Sequence, residues 1–257
     1  MRIVAIIESD DCGPAAVLDA ENITITKIND LYIAASRCMY RNSPVVCELI
    51  IIDNDCKLRP KDIDLSSEKI RIFDFGENIF FNKSMNVGVE KSTGDIVCLM
   101  NDDLIFDPAI FQAISQNFDK ETTGMIFPHP AYFNRGKENL ELIQKLTLVE
   151  CQQPLDGFGC CMFIHKDNYD PVPEEFVQHF GDVFYYEMMK KKNKKNYFLH
   201  NWVILTPMRV TTAVVPEAQQ KILRDWEIAK EVLSRYGIPY ESNDRPVFGA
   251  GNLPIRN

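Results

Sequence analysis

What this 257-residue sequence lacks narrows its class. No apolar stretch approaches the ~18 residues that a membrane-crossing helix needs. None of the eight cysteines (Cys12, Cys38, Cys47, Cys56, Cys98, Cys151, Cys160 and Cys161) forms a CxxC pair, so no structural zinc knot is expected. Positive charge is in deficit, with 28 Lys and Arg against 37 Asp and Glu and a net charge of −9. A chain of that balance does not attract nucleic acid or anionic membrane as a whole. Met1 leads straight into a strand-like run without a cleavage site, which argues against a secretory signal. Reduced thiols then suggest a cytoplasmic protein, of a bacterium or of a virus-infected host cell. There is no internal repeat and no low-complexity segment. The hydrophobic fraction of 46% and charged fraction of 25% are those of an ordinary globular domain.

The first half alternates strand and helix signals. Arg2 to Glu8, Cys47 to Ile52, Lys69 to Phe75 and Asp95 to Met100 read as short buried strands. Residues 30–40 and Asn82 to Ser92 carry apolar positions at helical spacing. Asp107-Pro108 is a cap followed by proline at the first helical position. The second half is less regular: strands over Met125–Phe127, Cys160–Ile164 and Tyr197–Leu205, and a helix from Asp182 to Lys192. A clear amphipathic helix runs from Glu217 to Tyr236 and is stopped by Gly237. Cys160 and Cys161 read as strand residues facing opposite sides. The tail from Glu241 reads as a surface strap. Strand–helix alternation of this kind predicts a mostly parallel α/β sheet flanked by helices, with ligands outside the carboxyl ends of its strands.

Three acidic clusters fall at those ends: Asp10-Asp11, Asp53 with Asp55, and Asp102-Asp103. Adjacent carboxylates repel unless a cation or hydrogen bonds compensate, and oxygen ligands of this kind suit Mg2+ or Mn2+ bridging to diphosphate oxygens. A polar turn is the plainer alternative.

The neighbourhood of these acids resembles glycosyltransferase family 2. Asn86-x-Gly88 followed by Thr93-Gly94-Asp95-Ile96-Val97-Cys98-Leu99-Met100-Asn101-Asp102-Asp103 is similar to that family's helix and T-G-[DE] strand, with Ser84-Met85 replacing its usual Ala-Arg. Glu48 to Asp53 looks like its E-[IV]-I-[IV]-V-D strand. Asp156 to Lys166 resembles its glycine loop, and Phe176 to Tyr185 its acidic helix start, with Gly181 where Glu is usual. The resemblance implies a GT-A (Rossmann-like) fold over residues 1–205, with a nucleotide-sugar half at 1–105 and an acceptor half at 106–205. Residues 206–257 would be a helix and tail packed on the same domain.

It also implies site roles. The donor, a nucleoside-diphosphate sugar of UDP type, would meet Ile7, Glu8, Ser9, Asp53, Asn82, Asn86, Asn101, Asp102, Gly157, Phe158 and Gly159. Asp103 and His200 would hold Mn2+ or Mg2+, and Asp182 would be the catalytic base of an inverting transfer. Gly181 is expected to leave room beside that carboxylate. Asp53 is equally an ordinary strand-end Asx turn, Asp182 a helix cap, and His200 a packed residue. Lys190 to Lys195, five lysines in six positions, reads as a solvated helix end or as a contact for a phosphate-carrying acceptor such as hydroxymethylated DNA. A glycan acceptor fits as well. The rivals are a sugar nucleotidyltransferase, disfavoured because Ser9 to Pro14 lacks a basic phosphate loop, and an inactive binding protein of the same fold.

Overall fold

Runs such as Leu49–Ile52 and Ile96–Met100, apolar at every position, suit strands covered on both faces. The computed structural model describes residues 1–10, 45–54, 70–101, 104, 106–107, 109–133, 147–153, 158–200, 202–204, 206 and 216–240. Eight strands among them form one sheet: β1 (Ile3–Asp10), β2 (Val46–Asn54), β3 (Ile70–Asp74), β4 (Ile96–Asn101), β5 (Thr123–Pro128), β6 (Thr147–Glu150), β7 (Cys161–His165) and β8 (Lys195–His200). Their order is β3-β2-β1-β4-β7-β5-β8-β6. β1 pairs in parallel with β2 and β4, β2 with β3, and β5 with β8. β7 runs antiparallel between β4 and β5, and β6 antiparallel against β8. The expected mostly parallel sheet is the one observed.

Among the described residues four helices cover it: α1 (Phe81–Lys91), α2 (Ala109–Asn117), α3 (Gly181–Lys191) and α4 (Pro216–Arg235). Strand residues alternate between two cores. Ile50, Ile52, Val97 and Leu99 join Met85 and Val89 of α1, Phe184 and Met189 of α3, and Ala229 and Leu233 of α4. Leu49, Ile51, Cys98 and Met100 join Ile110, Phe111 and Ile114 of α2 on the other face. The result is three layers. Gly88 sets one close approach, since a Cβ there would stand 2.3 Å from Ile6 Cγ2. Asp107 accepts the Ala109 amide at 2.8 Å and so starts α2 as a cap should. Gly237, at φ +64°, closes α4 with paired bonds from Gly237 N–H to the Ser234 carbonyl and from Ile238 N–H to that of Leu233.

Some expectations need correction. β8 stops at His200, because the chain then turns to pack Trp202 against Phe106 and Phe163. His200 therefore stands at a strand end. Cys160 closes a 3₁₀ turn (Phe158–Cys160) and only Cys161 belongs to β7, so the two do not alternate across one strand. β6 has no counterpart in the sequence reading: four residues, three of them exposed, leave no alternation to detect. The helix expected at 30–40 and the tail from Glu241 lie outside the described residues. The division near residue 105 falls between strands of a single sheet.

Candidate functional site

Strand register brings the candidate residues to one edge. Ser9 of β1 is level with Asp53 of β2, which is level with Asp74 of β3. Glu8 is level with Asn101, the last residue of β4, and Ile7 with Met100. The reversal of β7 adds the second half of the chain to this edge. Cys161 begins β7 opposite Met100, so the 158–160 turn enters beside the end of β4.

Asp182, in the first turn of α3, sits against that turn. A Cβ on Gly159 would lie 2.7 Å from Asp182 Oδ2 and 2.9 Å from its Cβ, so only glycine leaves the carboxylate in place. Asp182 Oδ1 accepts the Val183 amide at 2.8 Å, and Oδ2 is the oxygen turned toward Gly159. Gly181 has a different task from the one expected. A Cβ there would fall 2.2 Å from Asn82 Oδ1, so its bareness makes room for Asn82 and not for the carboxylate.

Three residues expected at the donor are committed elsewhere. Asn82 is buried, and its Nδ2 donates to the carbonyls of Phe176 and His179 at 3.2 and 2.9 Å. Asn86, one turn on, donates to the Val172 carbonyl and accepts from Tyr169 Oη and the Val172 amide, all within 2.9 Å. Together they clip α1 to the segment leading into α3. Phe158 is a core side chain, its ring 4.7 Å from Phe127 and 6.3 Å from Tyr186. Buried this way, it offers the donor no face. Asp53 is 8% exposed at the strand end. Its neighbour Asn54 accepts the Ile79 amide and bonds Ser84, tying β2 to the start of α1.

Asp102, Asp103 and Gly157 lie outside the described residues, among which no three His, Cys, Asp or Glu side chains cluster as a ligand set. β8 is three strands from β4, about 14 Å at ordinary strand spacing. The chain nevertheless crosses that gap: Phe106, three residues past Asp103, packs its ring 5.2 Å from that of Trp202, two residues past His200. The Tyr132 hydroxyl lies 2.8 Å from His200 Nε2 and fixes the ring. A carboxylate–imidazole oxygen and nitrogen donor set is chemically suited to Mn2+ or Mg2+.

The sequence matches Glycosyl transferase family 2 over residues 41–204. The chain belongs to that family. It is a glycosyltransferase of GT-A fold. A search of the curated proteins finds no significant match. Among solved structures it is similar to glucosyl-3-phosphoglycerate synthase from Mycobacterium tuberculosis in complex with Mn2+, UDP-glucose and phosphoglyceric acid, at 12% identity and a TM-score of 0.55, covering 93% of this chain and 81% of that one. S. aureus TarS 1–349 aligns at 12% identity and a TM-score of 0.52 over 90% of this chain and 73% of the other. GalNAc-T7 with UDP, GalNAc and Mn2+ aligns at 10% and 0.53 over 89% of this chain and 50% of its own.

Within this family 2 glycosyltransferase, much of the recognisable motif is structural. Glu48 accepts from both the amide and the hydroxyl of Thr93 and from Arg71, while Asp95 accepts the Arg2 amide. These bonds lie at the amino ends of β2 and β4, a strand length of about 17 Å from the candidate site. The lysine run is likewise engaged. Lys190 pairs with Glu187, Lys192 with Asp170 and Lys195 with Glu150. Lys191 donates to the Tyr236 carbonyl, and Lys194 to those of Lys120 and Glu121. It is a set of local ties and not a free cationic patch.

One residue of the site region went unread. Asp225 of α4 is fully buried, and its carboxylate accepts the amides of Val177, Gln178 and His179 at 3.1, 2.8 and 2.8 Å. A signal existed: Asp225 follows Ile222 by three and precedes Ala229 by four, which puts a carboxylate inside the apolar stripe. A charge so placed demands partners.

Proposed function

We propose that this glycosyltransferase moves a sugar from a uridine-type nucleoside-diphosphate donor to an acceptor hydroxyl in one inverting displacement, with Asp182 as the base. The observation that carries the reading is the seating of the Asp182 carboxylate against Gly159, beside the end of β4 where family donors are read. In the displacement the acceptor oxygen bonds to the anomeric carbon, the bond from that carbon to the diphosphate oxygen breaks, and the nucleoside diphosphate leaves with the electron pair. Asp182 takes the hydroxyl proton. A carboxylate is a weak base, so the transfer occurs late, as the attacking oxygen becomes acidic.

Ile7, Glu8, Ser9 and Asp53, at the carboxyl ends of the paired strands β1 and β2, are the residues we assign to the base and ribose. Asn101, level with Glu8, and Asp102, next in the sequence, are assigned to the same donor, with Gly157 and Gly159 assigned to close backbone approach to its sugar. Asp103 and His200 are the residues that would hold Mn2+ or Mg2+, which when bound neutralises charge developing on the leaving diphosphate. The solved relatives in complex with UDP or UDP-glucose and Mn2+ support the choice of donor and metal. Engagement of the lysine run in local ties weakens the motive for a nucleic-acid acceptor, and a glycan or other polyhydroxyl compound is the class we favour. The test is Asp182→Asn, which keeps an oxygen to accept the Val183 amide but takes no proton. Turnover falls by about a hundredfold or more while UDP affinity and melting temperature hold. Near-normal turnover, or a product with retained anomeric configuration, sinks the assignment.

A further inference from the structure

Both helices that frame the site begin on a strained phenylalanine. Phe80, at φ +63° and ψ 168°, precedes α1, and Phe180, at φ +64° and ψ −3°, precedes α3. Neither helix start has a side-chain cap. A non-glycine residue at positive φ persists only where its surroundings over-determine it. The two starts are already joined: the Asn82 amide donates to the Val177 carbonyl, and the Asn82 side chain to those of Phe176 and His179.

What holds them from outside is α4. Its Asp225 gathers the three consecutive amides of Val177, Gln178 and His179. No salt bridge reaches this carboxylate among the described residues, so those amides are what compensates a charge with 0% exposure. The next residue, Trp226, sets its ring 5.2 Å from Phe180 edge-on and stacks on His179 at 5.8 Å. Tyr240, just past α4, closes on Phe180 from a further side at 5.1 Å. Lys221, one turn before Asp225, places its ammonium 4.8 Å above the ring of Phe80. A single helix thus grips both strained residues and the loop between them and Asp182. That helix lies wholly beyond residue 204, where the family match ends.

We propose that Asp225 and Trp226 are positioning residues for sugar transfer: they lock the 177–181 segment in its strained form and thereby fix Asp182 against Gly159. The inference rests on Asp182 being the base. Release of the loop would let Phe180 relax to a negative φ, which rotates the first turn of α3 and carries the carboxylate off the glycine turn. Reactions of this type lose rate steeply with misplacements of about 1 Å. Binding of the nucleotide, assigned to β1, β2 and β4, would not follow.

The experiment compares full-length wild type with Asp225→Asn, a change that keeps the shape of the side chain but turns one acceptor into a donor facing amides. Three readouts are taken: amide hydrogen exchange, UDP affinity by calorimetry with Mn2+, and UDP release from a panel of UDP-hexoses. In the variant, the amides of residues 177–179 exchange at least about tenfold faster while those of Val97–Met100 are unchanged. UDP affinity stays within about twofold and turnover falls at least about tenfold. Unchanged exchange at 177–179 overturns the proposal, as does faster exchange with turnover near that of wild type. If Asp225→Asn does not fold, Trp226→Leu decides in its place: it keeps the buried carboxylate with its amides and shows the same split between turnover and affinity. Wild type that releases UDP from no UDP-hexose counts against the proposed function, while the exchange result still decides whether Asp225 holds the loop.

Discussion

Adding one methyl group at Gly159 is the sharpest perturbation the site offers. Gly159 is not among the positive-φ residues, so alanine is compatible with its backbone. On that account alone Gly→Ala stabilises by about 0.4–1 kcal/mol, through a less disordered unfolded chain. Against this stands the contact. The new Cβ would lie 2.7, 2.9 and 3.1 Å from Oδ2, Cβ and Cγ of Asp182. Rotation of the carboxylate relieves the first distance but not the second, because that Cβ is fixed to the backbone of α3. Either the 158–160 turn or the first turn of α3 must shift by several tenths of an ångström. Overpacking of this kind costs about 1–3 kcal/mol, so the net change runs from nearly neutral to about 2.6 kcal/mol of destabilisation. At this chain length that is a fall in melting temperature of at most about 10 °C. Catalysis responds more steeply, with turnover expected to drop by roughly ten- to a hundredfold. The assay is UDP release from a UDP-sugar, read beside a thermal melt of the same preparation. Wild-type turnover in Gly159→Ala would refute the reasoning, since the carboxylate would then tolerate displacement from the place that defines its role.

Chelator should abolish turnover, with Mn2+ or Mg2+ restoring it better than Zn2+; full activity in excess chelator removes Asp103 and His200 from the mechanism. Replacing Lys191, Lys192, Lys194 and Lys195 together by Gln should lower the melting temperature by a few degrees, because ties to Tyr236, Asn168, Lys120 and Glu150 are lost. Each tie is half-exposed or exposed and worth under about 1 kcal/mol, so an unchanged melt means they contribute nothing. Burial depresses the His165 pKa, with Asp167 opposing it, and His165 Nδ1 accepts the Asp167 amide in the neutral form. A histidine shifted down leaves the protein fully stabilised above about pH 6.5, and that stability is lost as pH falls from there toward the folded value. Denaturant midpoints between pH 7 and 5 should therefore decline less in His165→Gln than in wild type; equal slopes refute the assignment.

The strands and the helix α1 were legible because their apolar runs and the Asn86-x-Gly88 spacing have physical causes that sit in the local sequence. Gly88 is bare because α1 presses on Ile6, and Thr93-Gly94-Asp95 bonds to residues of the same amino edge. What these polar residues touch was less legible. An asparagine amide on a helix beside a loop looks the same in sequence whether it meets a ligand or a carbonyl, and Asn82 and Asn86 meet carbonyls. Phe158 beside two glycines suggested a donor loop, yet its partners Phe127 and Tyr186 lie 31 residues before and 28 after it, beyond the reach of any local pattern. Asp225 bonds an amide 47 residues away. Its place in the apolar stripe announced a partner without naming it.

The central position of β1 has a consequence for how the chain is made. Its two neighbours in the sheet begin at Val46 and Ile96, so β1 leaves the ribosome before either of them and waits for partners that come much later. At 5–20 residues per second, the roughly 90 residues between β1 and β4 take about 5–20 s to synthesise. Throughout that interval an apolar segment, Ile3 to Ile7, has a free edge on at least one side. Pairing across such separations is slow to close, and uncovered strands of this kind are where nascent chains associate with one another. Yield of folded protein should therefore depend on growth temperature and chaperone supply more than on the stability of the finished sheet. Charge placed at Ile6 to curb that association would be buried at the middle of the fold.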